Sequence, residues 1–161
     1  MASLKLTLDD AELGLRLRER LGGAQPVRGA WVVWEKEQRR VLLNLASVKS
    51  RFADGWLVCE LDLKNDQVGR ETLQFVFFLG TEREARGTQA AATINAATPD
   101  AAQLADQWGA DLQRVLWDAV LDAIEAAVAK ADRRRPGEKL TLRGFHCTSD
   151  ALHVEVLTGE L

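Results

Sequence analysis

The 161-residue chain has no tyrosine, two histidines and two cysteines. Cys59 and Cys147 lie far apart and neither belongs to a CxxC pair, which argues against a disulfide framework or a zinc knuckle. Long hydrophobic runs are missing too. Unbroken stretches such as Phe75 to Leu79 fall far short of the roughly 20 residues a membrane-spanning helix needs. Met1-Ala2-Ser3-Leu4-Lys5 shows no basic stretch followed by an apolar one, so no secretory signal is expected and a soluble, cytoplasmic protein is. Nor is there an excess of positive charge: 21 Lys and Arg against 24 Asp and Glu leave −3 at pH 7. That balance argues against a general nucleic-acid binder, which needs clustered cations to neutralise phosphates. GxSxG, HExxH, HRD and EF-hand patterns are absent. The segment from Phe77 to Thr88 looks superficially like a phosphate loop after a strand. It lacks the lysine before Thr88 and sets Glu82 and Glu84 where phosphate charge would go.

What is present is ample apolar material, 47 % of residues against 28 % charged, enough for one domain over residues 1–161 with a sizeable core. Leu4, Leu6 and Leu8 alternate with polar residues, as in a short strand. Asp9 then stands as an N-cap with Glu12 three residues on, and Leu13, Leu17 and Leu21 follow on one helical face before Gly22-Gly23. From about Val27 to Ile94 the pattern turns to β. A hairpin is expected from Trp31-Val32-Val33-Trp34 and Val41–Leu45, and Asp54-Gly55 marks the next turn. Leu57, Cys59, Leu61 and Leu63 alternate beyond it, as do Leu73, Phe75, Phe77 and Leu79. Residues 88–95 fit a weak strand or coil.

Thr98 as N-cap and Pro99 at the first helical position open a long helix expected to run to about Asp132, with Pro136-Gly137 closing it. Its acids (Asp100, Asp106, Asp111, Asp118, Asp122, Glu125) precede its basic end, as the helix dipole favours. A last hairpin joins Leu140–Cys147 to Leu152–Thr158. The expected fold is α+β: a twisted antiparallel sheet with one long helix packed across it and a short N-terminal helix. As fold analogy only, this order resembles small acidic secretion-type chaperones and helix-over-sheet ligand binders.

Three groups of residues are candidates for function. With Thr148–Ala151 as the connection, His146 should face His153 across the last hairpin, and Glu155 shares the face of His153. Two imidazoles and a carboxylate are ligand types that zinc or non-haem iron accepts, the basis of an alternative reading as a small metal-dependent enzyme. The same residues fit an ordinary exposed polar face, which carries the greater weight, and no cofactor is expected. A second group is the basic stretch Lys130, Arg133, Arg134, Arg135, Lys139 and Arg143, broken only by Asp132 and Glu138. It could grip nucleic acid or an acidic partner, but a solvated helix end explains it more simply.

The third group lies on the long helix. Counting ~100° per residue from Trp108, Leu104, Leu112, Val115 and Ala119 stay within ~40° of it and form a stripe assigned to the sheet. Trp117, Leu121, Ile124 and Val128 fall ~160° to ~220° away by the same count. Left open, they would make an apolar patch that soluble monomers avoid, so either the short N-terminal helix, through Leu13, Leu17 and Leu21, or a second copy of the same helix should cover them. The expectation is therefore a non-enzymatic binding or assembly module, acting through an apolar sheet–helix cleft or a self-association surface. A homodimer with Trp117 and Leu121 near its two-fold interface is the favoured form. Another protein or a small apolar ligand are other possible occupants.

Overall fold

The computed structural model describes residues 2–23 and 31–160. Their elements are β1 (Ala2–Leu8), α1 (Asp10–Gly22), β2 (Trp31–Lys36), β3 (Arg39–Ala53), β4 (Trp56–Lys64), β5 (Glu71–Phe78), β6 (Ala91–Ala96), α2 (Pro99–Arg133), β7 (Glu138–Cys147) and β8 (Leu152–Glu160). The fold is α+β with antiparallel strands, as expected. The strands divide between two sheets: a five-stranded meander in the order β2-β3-β4-β5-β6, and a three-stranded sheet in the order β1-β8-β7. Of the ambiguous segment 88–95, the part from Ala91 onward is strand, where Ile94 of β6 pairs opposite Phe75 of β5 and packs against the core, and residues 88–90 are turn and coil.

Local chemistry sets the element ends. Asp9 Oδ1 accepts from the Glu12 N–H at 2.9 Å, and Thr98 Oγ1 accepts from the Ala101 N–H at 3.0 Å, so each helix starts on a satisfied donor. The register of β3 against β4 breaks between Asn44 and Lys49. Asn44 stabilises the break: its Oδ1 accepts from the Ala46 N–H, while its carbonyl accepts from Ser47 Oγ, which in turn accepts from the Asp62 N–H. The Ala46 and Asp62 amides thus find side-chain acceptors where the ladder is broken.

The long helix α2 is the structural centre. Its buried line runs Trp108, Leu112, Leu116, Val120, Ile124. Each step of four residues advances ~40°, so the buried face turns by ~160° along this length. The two stripes expected from the sequence are the two ends of one spiral. The cause is the second sheet: α2 packs against β5 and β6 of the meander and against β1 and β7 of the smaller sheet, with α1 alongside. This corrects the expectation that Trp117, Leu121, Ile124 and Val128 form one stripe facing away from the sheet that needs the N-terminal helix or a second copy to cover it. Ile124 is 1 % exposed within its own chain. Trp117 stacks on Phe77 of β5 (centroids 5.5 Å apart) and meets Phe145 of β7 edge-on (5.9 Å). One indole therefore bridges the two sheets. Leu121 is half-buried, and Val128 packs against the rim of the core.

Tethers hold α1 in place. Its apolar Leu13, Leu17 and Leu21 enter the core. Arg20 Nη2 donates to Asp122 Oδ1 of α2 at 2.8 Å, and Trp34 Nε1 donates to the Leu21 carbonyl at 2.9 Å. The sheets themselves are joined by backbone. The Cys147 N–H donates to the Gly80 carbonyl (3.0 Å), Phe145 to Gly87 (2.9 Å) and Gly55 to Cys147 (3.0 Å). Glycine is required at this seam: Gly80 has φ of 93°, and a Cβ there would lie 2.6 Å from the Glu84 carbonyl oxygen.

Candidate functional site

The outer face of the three-stranded sheet carries the histidines. His146 pairs directly with His153, as the hairpin count required, and Gly144 rather than Arg143 lies opposite Glu155 because the register shifts after Leu142. The two imidazoles stack with centroids 5.0 Å apart and planes at 18°. His153 Nε2 lies 2.9 Å from Thr148 Oγ1. Burial holds the His146 pKa below the usual histidine value, and the neighbouring His153 adds to the effect. Glu155 is turned to Arg143, whose Nη1 lies 3.2 Å from its Oε1. The structure thus brings together two of the three proposed metal ligands and gives the third an ion-pair partner. Among the described residues no three His, Cys, Asp or Glu side chains converge into a group able to hold a metal ion.

Both cysteines are buried, and burial pushes each thiol up to about 12. Burial thus favours the neutral thiol of both, the weaker nucleophilic form.

The basic stretch does not form one surface. Arg133, Arg134 and Arg135 are exposed at the end of α2, where Arg135 pairs with Glu138. Arg143 is on the hairpin, tied to Glu155. Two of the six cations are therefore met by acids of the same chain.

The C-terminal half of α2 crosses the inner side of the small sheet and leaves a groove on each flank. Towards β1 a space of about 320 Å³ is bounded by Leu4, Leu6, Ala127, Ala131 and the polar Lys130 and Arg134. Towards β7 the groove is larger and more apolar, about 470 Å³, with Ile124, Val128, Leu140 and Leu142 as its apolar wall and Glu125, Asp132 and Glu138 at its rim. It contains two of the residues singled out on the helix, Ile124 and Val128. Leu140 and Leu142 were missed as site residues. Their alternation with Lys139, Thr141 and Arg143 marks a half-buried strand, but not what that strand faces. β7 is also an edge of its sheet. Beyond Leu142 its end is occupied by the seam with Gly80 and Gly87, whereas among the described residues Glu138–Leu142 have β8 alone as a strand neighbour.

No helix of the described residues is long and apolar enough to cross a membrane. Compared with protein-family models, curated proteins and solved structures, the chain matches none.

Proposed function

We propose that this chain is a non-enzymatic assembly module that pairs with a second copy of itself across the α2–β7 groove. The observation that carries the reading is the groove of about 470 Å³, walled by Ile124, Val128, Leu140 and Leu142, beside a strand edge that among the described residues has β8 alone as a strand neighbour. Such an edge is a template for another strand. A second copy satisfies both features at once, because a two-fold axis through the middle of β7 sets edge against edge and groove against groove. Trp117 is occupied between the two sheets, and the proposed contact centres on Val128, Leu140 and Leu142.

Sedimentation velocity tests the proposal. The wild type should run as a dimer, and Val128→Glu and Leu140→Glu should run as monomers with unchanged far-UV circular dichroism. A wild type that stays monomeric while binding a small apolar probe in the groove would make it a ligand site instead. The metal-enzyme reading has the stacked histidine pair in its favour, and elemental analysis showing stoichiometric metal in the purified protein would replace the assembly reading with it.

A further inference from the structure

We propose that the groove between α1 and the second half of β3 is a binding site for a small organic anion with an apolar body, held by Arg18, Lys49 and Arg51. None of its lining residues belongs to the α2–β7 groove, so the proposal does not rest on the dimer.

The groove holds about 410 Å³, a size typical of small-ligand pockets. Ala11 and Gly14 of α1, Val48 of β3 and Val58 of β4 give it an apolar lining. It lies beside the break in the β3–β4 register, beyond which Lys49 and Arg51 stand opposite Glu60 and Val58. Gly14 is the informative residue. A glycine inside a helix costs stability relative to alanine, and close packing or a positive φ is the usual reason to keep one. Neither applies at Gly14. Its φ is not positive, and outside the helix backbone a Cβ there would meet only the Arg18 side chain, with Nη1 at 3.4 Å. The missing side chain instead opens the groove and lets the Arg18 guanidinium rest over the helix at its wall.

Charge defines the occupant. Arg18, Lys49 and Arg51 all line the groove, and among the described residues none of them makes an ion pair. Two acids share the lining. Glu60 is directed along the sheet, its Oε1 accepting from Gln74 Nε2 at 3.1 Å, and Asp10 stands in the first turn of α1, where the helix dipole favours its charge. Three cations thus face two acids, with a guanidinium on the α1 wall and another on the β3 wall. A guanidinium binds carboxylate or phosphate oxygens in pairs, and the apolar lining suits a chain or ring attached to them. A bare anion would make no use of that lining, and a neutral apolar ligand would make none of the cations. The α2–β7 groove is lined by three acids, Glu125, Asp132 and Glu138, and one lysine, so it disfavours the same ligand.

Titration with decanoate tests the proposal, with calorimetry giving the affinity and amide NMR shifts the location. The wild type should bind one decanoate per chain with Kd below about 1 mM, and the shifts should centre on the Gly14, Lys49 and Arg51 amides. Decyltrimethylammonium, with the opposite charge, and inorganic phosphate, with no apolar body, should each bind there at least roughly tenfold more weakly. The double variant Lys49→Gln with Arg51→Gln should weaken decanoate at least roughly tenfold. Gly14→Leu should abolish its binding while keeping or raising Tm, because the new side chain fills the groove and the helix gains propensity. If one variant fails to fold, the other decides. Decanoate binding that is absent, that maps to another face or that the variants leave unchanged overturns the proposal. So does equal binding of decyltrimethylammonium, which would remove the role of the cations, or of phosphate, which would remove that of the apolar lining.

Discussion

Trp117→Ala tests whether one indole couples the two sheets. The ring stacks on Phe77 and meets Phe145, which are themselves 1 % and 2 % exposed. Truncating a buried Trp or Phe to Ala costs about 3–5 kcal/mol, and Trp117 is only half-buried, so the lower end applies. Part of that cost is the two aromatic contacts, each contributing about 0.5–1.5 kcal/mol beyond area burial. A loss of about 3 kcal/mol is expected, which for a chain of this length lowers Tm by roughly 6–12 °C. Urea unfolding followed by far-UV circular dichroism measures it without relying on the fluorescence of the removed residue. Trp117→Phe, which keeps an aromatic ring between the sheets, should recover more than half of the loss. A loss below about 1 kcal/mol, or one that changes with protein concentration, would refute the reasoning. The ring would then be covered by another copy rather than by Phe77 and Phe145.

Two glycines should respond in opposite ways. Gly80→Ala should cost at least about 2 kcal/mol in denaturant unfolding, because the positive φ and the approach to the Glu84 and Arg86 backbone leave a methyl no room. Gly109→Ala should fall within about 1 kcal/mol of wild type, since the one close approach of its Cβ is to the Cδ1 end of the Ile94 side chain, which can shift, and the helix gains propensity in exchange. Acid should destabilise the wild type through His146. Its folded pKa lies below the unfolded value, so the unfolded chain takes up the proton first; the contribution is complete above about pH 6.5 and is lost as pH falls from there through the folded pKa. Thermal melts across that range should show His146→Gln losing less stability than wild type. Cys59 and Cys147 should resist alkylation at neutral pH in the native protein and react once it is unfolded, as followed by mass spectrometry.

Local elements were legible in the sequence because their signals are local. Asp9 and Thr98 start the helices where their cap spacing placed them, and the His146–His153 register followed from a four-residue connection. The division into two sheets was not legible. It depends on β1 pairing with β8 from the far end of the chain and on a seam made by Gly80, Gly87 and Cys147. None of these contacts leaves a periodic trace. The same omission misled the reading of α2: with one sheet in view, Trp117 and Ile124 fell on the helix's open side, whereas the second sheet covers both. The groove was half visible, since Ile124 and Val128 were singled out, but Leu140 and Leu142 needed the strand to be set beside the helix.

Sedimentation equilibrium of the wild type and Leu140→Glu is the most direct test of the assembly account. It predicts a two-subunit mass for the wild type, dissociating on dilution, and a one-subunit mass for the folded variant. A wild type of one-subunit mass across a roughly hundredfold concentration range would contradict it.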